Sequence, residues 1–188
     1  MDKVKALNIV KEQLTEKRYI HTVGVLHTAV KLAKIYDADE HRVQLAAIFH
    51  DYAKFRPIAE MRKIVQDEQM DDRLLTYGNE LLHAPVGAYL VKKEVGIDDE
   101  EVLNGIRYHT TGRLNMTILE KIVFISDYIE PNRQFPGVEE VRDIALQDLN
   151  KALIISISNT IQFLMKKRQP VFPDTLAVYN SLIMKEEI

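Results

Sequence analysis

The feature that most constrains the fold is the stretch from Val138 to Arg168, which contains neither Gly nor Pro. Apolar residues recur along it three or four positions apart, as on one face of a helix, at Val141, Ala145, Leu149, Leu153, Ile157, Ile161 and Leu164. The segment LIISISNTI within it is rich in β-branched residues, but its four-residue spacing favours a helix over a strand. We predict a long helix from Val138 to Arg168 that can bend near Asn150.

The same apolar spacing recurs along the rest of the chain, between only seven Gly and six Pro residues. Pro57 stands where a new helix can begin, and Pro131 ends the apolar segment TILEKIVFISDYIE. A last short helix is expected after Pro173. We therefore predict an all-α protein, a bundle of about seven to nine helices that forms one domain over residues 1–188.

Composition excludes several classes of protein. The formal net charge is −3, so the chain has no overall basic field that would attract nucleic acid. Cysteine is absent, which rules out disulfides and thiolate metal sites. The first residues form a charged amphipathic helix and not a signal peptide, and no apolar run approaches the roughly 20 residues that span a bilayer. We expect a cytoplasmic protein with neither a membrane nor a nucleic acid as its partner.

Four polar residues interrupt otherwise apolar helix faces. They are His21 at the start of one helix, the adjacent pair His50 and Asp51 at the end of the next, and Asp127 within KIVFISDYI. A lone histidine of this kind is more often a hydrogen-bonded core residue than a ligand, but buried carboxylates are rare unless they are paired. Imidazole and carboxylate groups from three helices suit a first-row divalent ion such as iron, manganese, cobalt or zinc. These residues predict a metal site.

The order His21, His50–Asp51, Asp127 resembles the H…HD…D pattern of the HD-domain metal-dependent phosphohydrolases. The surrounding segments resemble the YqeK-type members, which hydrolyse dinucleoside tetraphosphates symmetrically. These segments run from Arg18 to Asn180 and read RYIHTVGVLHTA, AAIFHDYAKF, HAPVGAYLV, IRYHTTGR, SDYIEPNRQFPGVEEVR and FPDTLAVYN. The resemblance implies an all-helical fold, iron as the metal, and His21, His50, Asp51 and Asp127 as its ligands. It also implies diadenosine tetraphosphate as the substrate and two ADP as the products.

Such a substrate demands positive charge, because one divalent ion held by two carboxylates is formally neutral. Either a second metal binds or basic side chains surround the phosphates. Lys54, Arg18 and Arg133 are the candidate basic residues, and Lys54 is expected on the same helical face as the HD pair. His83 and His109 are either ligands of a second metal or, as we favour here, contacts to phosphate or bound water beside a single iron.

Other roles follow from the proposed hydrolysis. Asp51 or Asp127 would orient the attacking water while remaining a metal ligand, and Lys54 would neutralise the transferring phosphoryl group. Thr110, in the segment HTTG, offers a hydroxyl beside His109. In PDTLAVYN, Thr175 and Tyr179 would contact ribose or base, unless the segment is a plain helix start.

Two alternatives stay open for the function. Another HD phosphohydrolase, acting on other nucleotides or deoxynucleotides, would share the metal site and differ in the shape of its pocket. A non-catalytic module that binds nucleotides would hold a structural metal. The long helix after Val138 can pack internally or against a second subunit, so a homodimer is compatible with the sequence.

Overall fold

The computed structural model describes residues 1–186, and every regular element among them is helical. The α-helices are α1 Lys3–Gln13, α2 Glu16–Ile35, α3 Glu40–Phe49, α4 Ile58–Asp67, α5 His83–Leu90, α6 Glu100–Arg107, α7 Ile118–Ile129, α8 Val138–Ala145, α9 Leu149–Lys166 and α10 Pro173–Glu186. Short 3₁₀ helices cover Asp72–Leu75 and Asn79–Leu81, and the π-helical segment Val91–Val95 continues α5. The all-α prediction is confirmed, and these ten α-helices slightly exceed the expected number.

The predicted single helix from Val138 to Arg168 is wrong, because the chain forms two helices there. The break lies at Leu146–Asp148, where the Asp148 carboxylate accepts hydrogen bonds from the backbone N–H groups of Asn150 and Lys151, both at 3.0 Å. A capping side chain of this kind starts a helix without any need for Gly or Pro. The segment LIISISNTI lies within α9 and is helical, as its spacing predicted.

Side-chain capping also sets most other helix starts. Six helices follow an Asp or Thr whose side chain accepts a hydrogen bond from the first turn, at Asp2, Thr15, Asp39, Asp99, Thr117 and Asp148. Such a cap contributes roughly 1 kcal/mol to helix stability. The Thr15 cap fixes the start of α2, and therefore the position of His21 one and a half turns later.

Helices α2, α3, α6 and α7 pack against one another at the centre of the molecule. Gly105 permits the close approach of α6, since a Cβ atom there would lie 2.6 Å from the Leu119 side chain and 3.0 Å from that of Ala46. This packing brings His109, just after α6, beside His50, just after α3; their ring centroids are 5.0 Å apart.

Buried apolar residues from Ala6 in α1 to Val178 in α10 belong to one hydrophobic cluster. The division of the chain into a single domain over residues 1–188 stays a prediction. Over residues 1–186, no helix has both the length and the apolar character needed to cross a membrane.

Candidate metal centre and active site

The four residues predicted as metal ligands lie together in the structure. His21 Nε2 lies 2.9 Å from Asp127 Oδ1, and His50 Nε2 lies 3.1 Å from Asp51 Oδ2. The other two pairings are longer, at 3.8 Å between His21 Nε2 and Asp51 Oδ2 and 3.9 Å between His50 Nε2 and Asp127 Oδ1. Helices α2, α3 and α7 therefore place two imidazoles and two carboxylates around one point.

A second group of donors faces the other oxygen of Asp51. His83 Nε2 lies 3.1 Å from Asp51 Oδ1, and His109 Nε2 lies 3.9 Å from the same atom. The two histidine Nε2 atoms are 3.1 Å apart. His83 begins α5 and His109 follows α6, so Asp51 lies between two donor groups contributed by five helices or their ends.

Each of the four histidines has its Nδ1 atom beside a hydrogen-bond acceptor. Three of these acceptors are the backbone carbonyls three residues earlier, and the fourth is a glutamate. The pairs are His50 with Ala47 at 2.7 Å, His83 with Glu80 at 2.7 Å, His109 with Ile106 at 2.8 Å, and His21 with Glu130 Oε1 at 3.1 Å. An imidazole that donates through Nδ1 has its lone pair on Nε2, which is the atom that faces the centre in all four cases.

These donors fit a divalent metal ion. Among the described residues, the buried atoms His21 Nε2 and His50 Nε2 lack a hydrogen-bond partner, whereas buried polar atoms are normally paired. Two ligand atoms at about 2.1 Å from one ion and at a right angle are about 3 Å apart. The shortest spacings here have that value, so the lone pairs and carboxylates are arranged as ligands.

Electrostatics keep both carboxylates ionised. Burial would raise the pKa of Asp51, but His50 and His83 hold it well below its usual value. Burial acts the same way on Asp127, where the adjacent His21 and the charges of His50 and Arg133 lower the pKa instead. Burial, together with the charges of His50 and His83, lowers the pKa of His109 to about 3, so this imidazole is neutral at physiological pH.

Two of the predicted basic residues border the donor group. Arg18 Nη1 lies 2.9 Å from Asp51 Oδ2, and Arg133 Nη2 lies 2.7 Å from Asp127 Oδ1. Arg133 also donates through Nε to the Asp127 carbonyl at 3.0 Å. Both guanidinium groups are partly exposed, and together with His21 they line a cavity of about 700 Å³. They are therefore placed to meet an anion that approaches the centre.

Lys54 makes a different contact from the two arginines. Helix α3 ends at Phe49, and the chain continues through turns in which Lys54 N–H donates to the Asp51 carbonyl at 2.9 Å. The expected shared helical face with His50 is therefore absent. The Lys54 ammonium pairs with the exposed Glu80 carboxylate at 3.2 Å.

The three residues predicted to contact the nucleotide differ in their surroundings. Thr110 lines a smaller cavity together with His109 and Asp127, and its buried hydroxyl has no hydrogen-bond partner in the described chain. Thr175 is buried and donates to the Thr111 carbonyl at 2.9 Å, and Tyr179 packs against the hydrophobic cluster. Both of these residues therefore hold α10 in place, and the structure does not bring them to the donor group.

Glu130 is a functional candidate that sequence reasoning missed. It is 2% exposed, and its Oε2 atom accepts from Asn132 N at 2.8 Å and Asn132 Nδ2 at 3.0 Å while Oε1 holds His21. Gly24 on α2 makes room for it, because a Cβ atom there would lie 2.4 Å from Glu130 Oε2. The available signal was a carboxylate three residues after Asp127, directly before Pro131.

The chain is similar to several known proteins. The model of the HD domain matches residues 18–132. A protein of Halalkalibacterium halodurans named symmetrical bis(5'-nucleosyl)-tetraphosphatase is 60% identical over 100% of both chains. A Bacillus subtilis protein of the same name is 60% identical over 97% of this chain and 98% of its own. A Clostridium acetobutylicum crystal structure, described as a predicted HD superfamily hydrolase involved in NAD metabolism, is 44% identical and superposes with a TM-score of 0.93, covering 98% of each chain.

Proposed function

Since the chain belongs to the HD-domain family, we propose that it is a metal-dependent hydrolase that cleaves diadenosine tetraphosphate symmetrically into two ADP. One observation carries this proposal: the resemblance to proteins named symmetrical bis(5'-nucleosyl)-tetraphosphatase extends over the whole chain at 60% identity. A match that long includes the cavities around the donor group as well as the ligands themselves.

We assign the metal to the residues whose lone pairs converge. His21, His50, Asp51 and Asp127 form the first ligand group. The Nε2 atoms of His83 and His109 are both acceptors, because both Nδ1 atoms face carbonyl oxygens. These two Nε2 atoms lie 3.1 Å apart and face Asp51 Oδ1 at 3.1 and 3.9 Å, so we propose that the pair and Asp51 Oδ1 hold a second divalent ion. A bound divalent ion supplies Lewis acidity toward phosphoryl oxygens and a water-derived nucleophile at neutral pH.

The protein's own groups have separate tasks in the hydrolysis. The side chain of Asp127 is 21% exposed and that of Asp51 only 3%, so Asp127 is the carboxylate that can orient a water entering from the cavity. The water oxygen bonds to one of the two central phosphorus atoms, the central P–O–P bridge breaks, and the water proton is released. Arg18 and Arg133 bind the phosphate oxygens on either side of the bridge.

The leaving group needs little help from a general acid. It is a terminal phosphate of ADP, and such a group has a second pKa of roughly 6. Arg133, whose guanidinium is close to Asp127, stabilises the developing charge by electrostatic attraction. We therefore expect the arginines to act through charge and position.

Product analysis tests the proposal. The protein is stripped of metal, reloaded separately with Fe²⁺, Mn²⁺, Co²⁺ or Zn²⁺ under reducing conditions, and given diadenosine tetraphosphate. We expect ADP alone in chromatography. ATP with AMP would show attack at a different phosphorus, and no turnover by any metal-loaded form would contradict the proposed function.

Iron, a cytoplasmic location and a homodimer stay predictions. Mixed imidazole and carboxylate donors suit iron, manganese, cobalt or zinc, so elemental analysis of protein purified without added metal is the direct measurement. Light scattering after size exclusion gives the oligomeric state.

A further inference from the structure

Two cavities reach the donor group, and they differ in chemistry. The first, which we call the Phe55 cleft, has a volume of about 700 Å³ and includes Lys17, Arg18, Ile20, Phe55 and Arg133. The second, the Tyr128 cavity, has a volume of about 280 Å³ and includes Asp127, Tyr128, Arg133, Phe135 and Thr160. Arg133 lines both, so the two cavities meet at the carboxylate it contacts.

The Phe55 cleft combines cations with exposed apolar side chains. Ile20 and Phe55 are each 52% exposed at its edge, although side chains of this size are usually covered. Lys17 and Arg18 supply positive charge on the same side of the molecule, and Arg18 reaches the metal-ligand candidate Asp51 at 2.9 Å. An aromatic face next to cations that lead to a metal site suits a nucleobase with its phosphates.

The Tyr128 cavity has aromatic walls of its own. Tyr128 and Phe135 pack edge to face with their centroids 5.0 Å apart. Its volume is close to the lower end of the range of about 300–1,000 Å³ that is typical of ligand pockets. It therefore suits a base and its ribose, with the phosphates directed toward Asp127 and Arg133.

A third cavity, of about 560 Å³, is less suitable. It includes Arg73, Tyr108, Thr110 and Phe172 but none of the six candidate metal ligands. Its aromatic faces are already covered, because the Arg73 guanidinium lies 5.0 Å from the centroid of Phe172 and that of Arg107 lies 5.9 Å from the centroid of Tyr108. A base would have to displace these cations.

The two nucleosides of a dinucleoside tetraphosphate lie on opposite sides of its central phosphate bridge, so each of the two cavities that share Arg133 can hold one of them. We propose that the two chemically identical halves of the substrate bind in two different sites: one base lies against Phe55 and Ile20 in the Phe55 cleft, and the other against Tyr128 and Phe135 in the Tyr128 cavity. This inference rests on the proposed function, since it takes a dinucleoside polyphosphate as the ligand.

The test compares the metal-loaded full chain with Phe55→Ala, Phe135→Ala and the double variant. The control is Phe163→Ala, because Phe163 on α9 is also exposed, at 57%, and lines neither cavity. Loss of base stacking is expected to lower kcat/KM for diadenosine tetraphosphate about tenfold in each single variant, mostly through KM. The double variant is expected to lose about a hundredfold, since independent sites add in free energy. Phe163→Ala should leave kcat/KM unchanged.

Inorganic tripolyphosphate serves as a probe that has phosphates but no base. Its inhibition constant should be the same in the wild type and in all three cleft and cavity variants. If the variants bind tripolyphosphate as much more weakly as they do diadenosine tetraphosphate, the proposal is overturned, because the substitutions would then have disturbed the phosphate site. A double variant no worse than either single variant would also overturn it, since both rings would serve the same base.

Failure of the proposed function has a different signature. If the wild type does not hydrolyse diadenosine tetraphosphate at all, the substrate assignment fails. If the wild type produces two ADP while Phe55→Ala and Phe135→Ala match Phe163→Ala, only the two-site inference fails. Because Phe55 is half exposed, its replacement should leave the melting temperature unchanged, whereas Phe55→Tyr, which keeps an aromatic face, should retain most of the activity.

Discussion

The two oxygens of Asp51 face donor groups of different composition. On the Asp127 side, Oδ2 lies near His21, His50 and Arg18, and a second carboxylate completes the group. On the His83 side, Oδ1 lies near His83 and His109, and no other carboxylate belongs to the candidate donors described there. Two carboxylates would neutralise a divalent cation on the Asp127 side, where Arg18 and Arg133 supply the positive charge for substrate phosphates. On the His83 side, a bound cation would itself supply that charge.

The two sides also differ in how their histidines are held. His83 and His109 donate to the backbone carbonyls of Glu80 and Ile106, which helix geometry fixes. His21 instead donates to the side chain of Glu130, which Asn132 holds in turn. On the Asp127 side, the orientation of His21 thus depends on successive side-chain contacts, which a single substitution can break. Substitutions of single residues can therefore separate the two sides.

Removing a ligand from the Asp127 side should abolish function. His21→Ala is expected to lose metal and to lower kcat/KM more than a hundredfold, beyond the range of about 10–100-fold typical of residues that only orient a ligand. His50→Ala and Asp127→Ala should behave alike. His27→Ala is the matched control, because His27 is an exposed histidine on the same helix. Metal content by elemental analysis and steady-state kinetics measure the effect, and full metal occupancy in His21→Ala would refute its assignment as a ligand.

Glu130→Gln should weaken metal binding on the Asp127 side without removing a metal ligand. A glutamine amide cannot satisfy both neighbours: its NH₂ group faces either the two N–H donors of Asn132 or His21 Nδ1. The second orientation would move the imidazole proton to Nε2 and block the lone pair. We expect metal affinity to fall about 10–100-fold.

Chelator competition measures the metal affinity of Glu130→Gln. Glu120→Gln is the control, because Glu120 is also buried but pairs with Arg113 at 2.7 Å, away from the donor group. An equal loss of metal affinity in both variants would show a general effect of instability and remove Glu130 from its positioning role.

His83→Ala tests whether the His83 side holds an ion of its own. We expect the metal content to fall from two ions per chain to one, with the Asp127 side still loaded and kcat reduced more than KM. His41→Ala is the control, since His41 is an exposed histidine whose Nε2 contacts the Met1 carbonyl. A wild type that binds one ion, with the content unchanged by His83→Ala, would contradict the two-ion proposal.

The comparison of the two sides also shows what the sequence could predict. His21, His50, Asp51 and Asp127 could be recognised because each interrupts an apolar helix face, where a charge needs a partner. His83 and His109 were recognised as candidates, but the choice between phosphate contact and ligation depends on which nitrogen faces the centre. That orientation is set by the Glu80 and Ile106 carbonyls, and a one-dimensional pattern does not contain it.

The missed features have local physical causes. Glu130 sits beside Pro131 at the end of α7, where an acidic residue looks like ordinary helix-end surface; its burial arises from contact with α2, more than a hundred positions earlier. The break between α8 and α9 depends on the Asp148 cap. A prediction from helical spacing alone therefore continues α3 beyond Phe49 and joins α8 to α9.

Lys54→Ala should have the smallest effect, and it probes the outer edge of the His83 side. The Lys54 ammonium pairs with Glu80, whose carboxylate is 90% exposed and whose carbonyl accepts from His83 Nδ1. Exposed ion pairs contribute about 0–1 kcal/mol, so we expect kcat/KM to change less than about fivefold and metal content to stay the same. Glu80→Ala is the matched variant, since it removes the partner but keeps the backbone carbonyl. If Lys54→Ala lowers kcat/KM tenfold or more while Glu80→Ala does not, Lys54 contacts the substrate after all, and the His83 side has a basic residue to match the arginines of the Asp127 side.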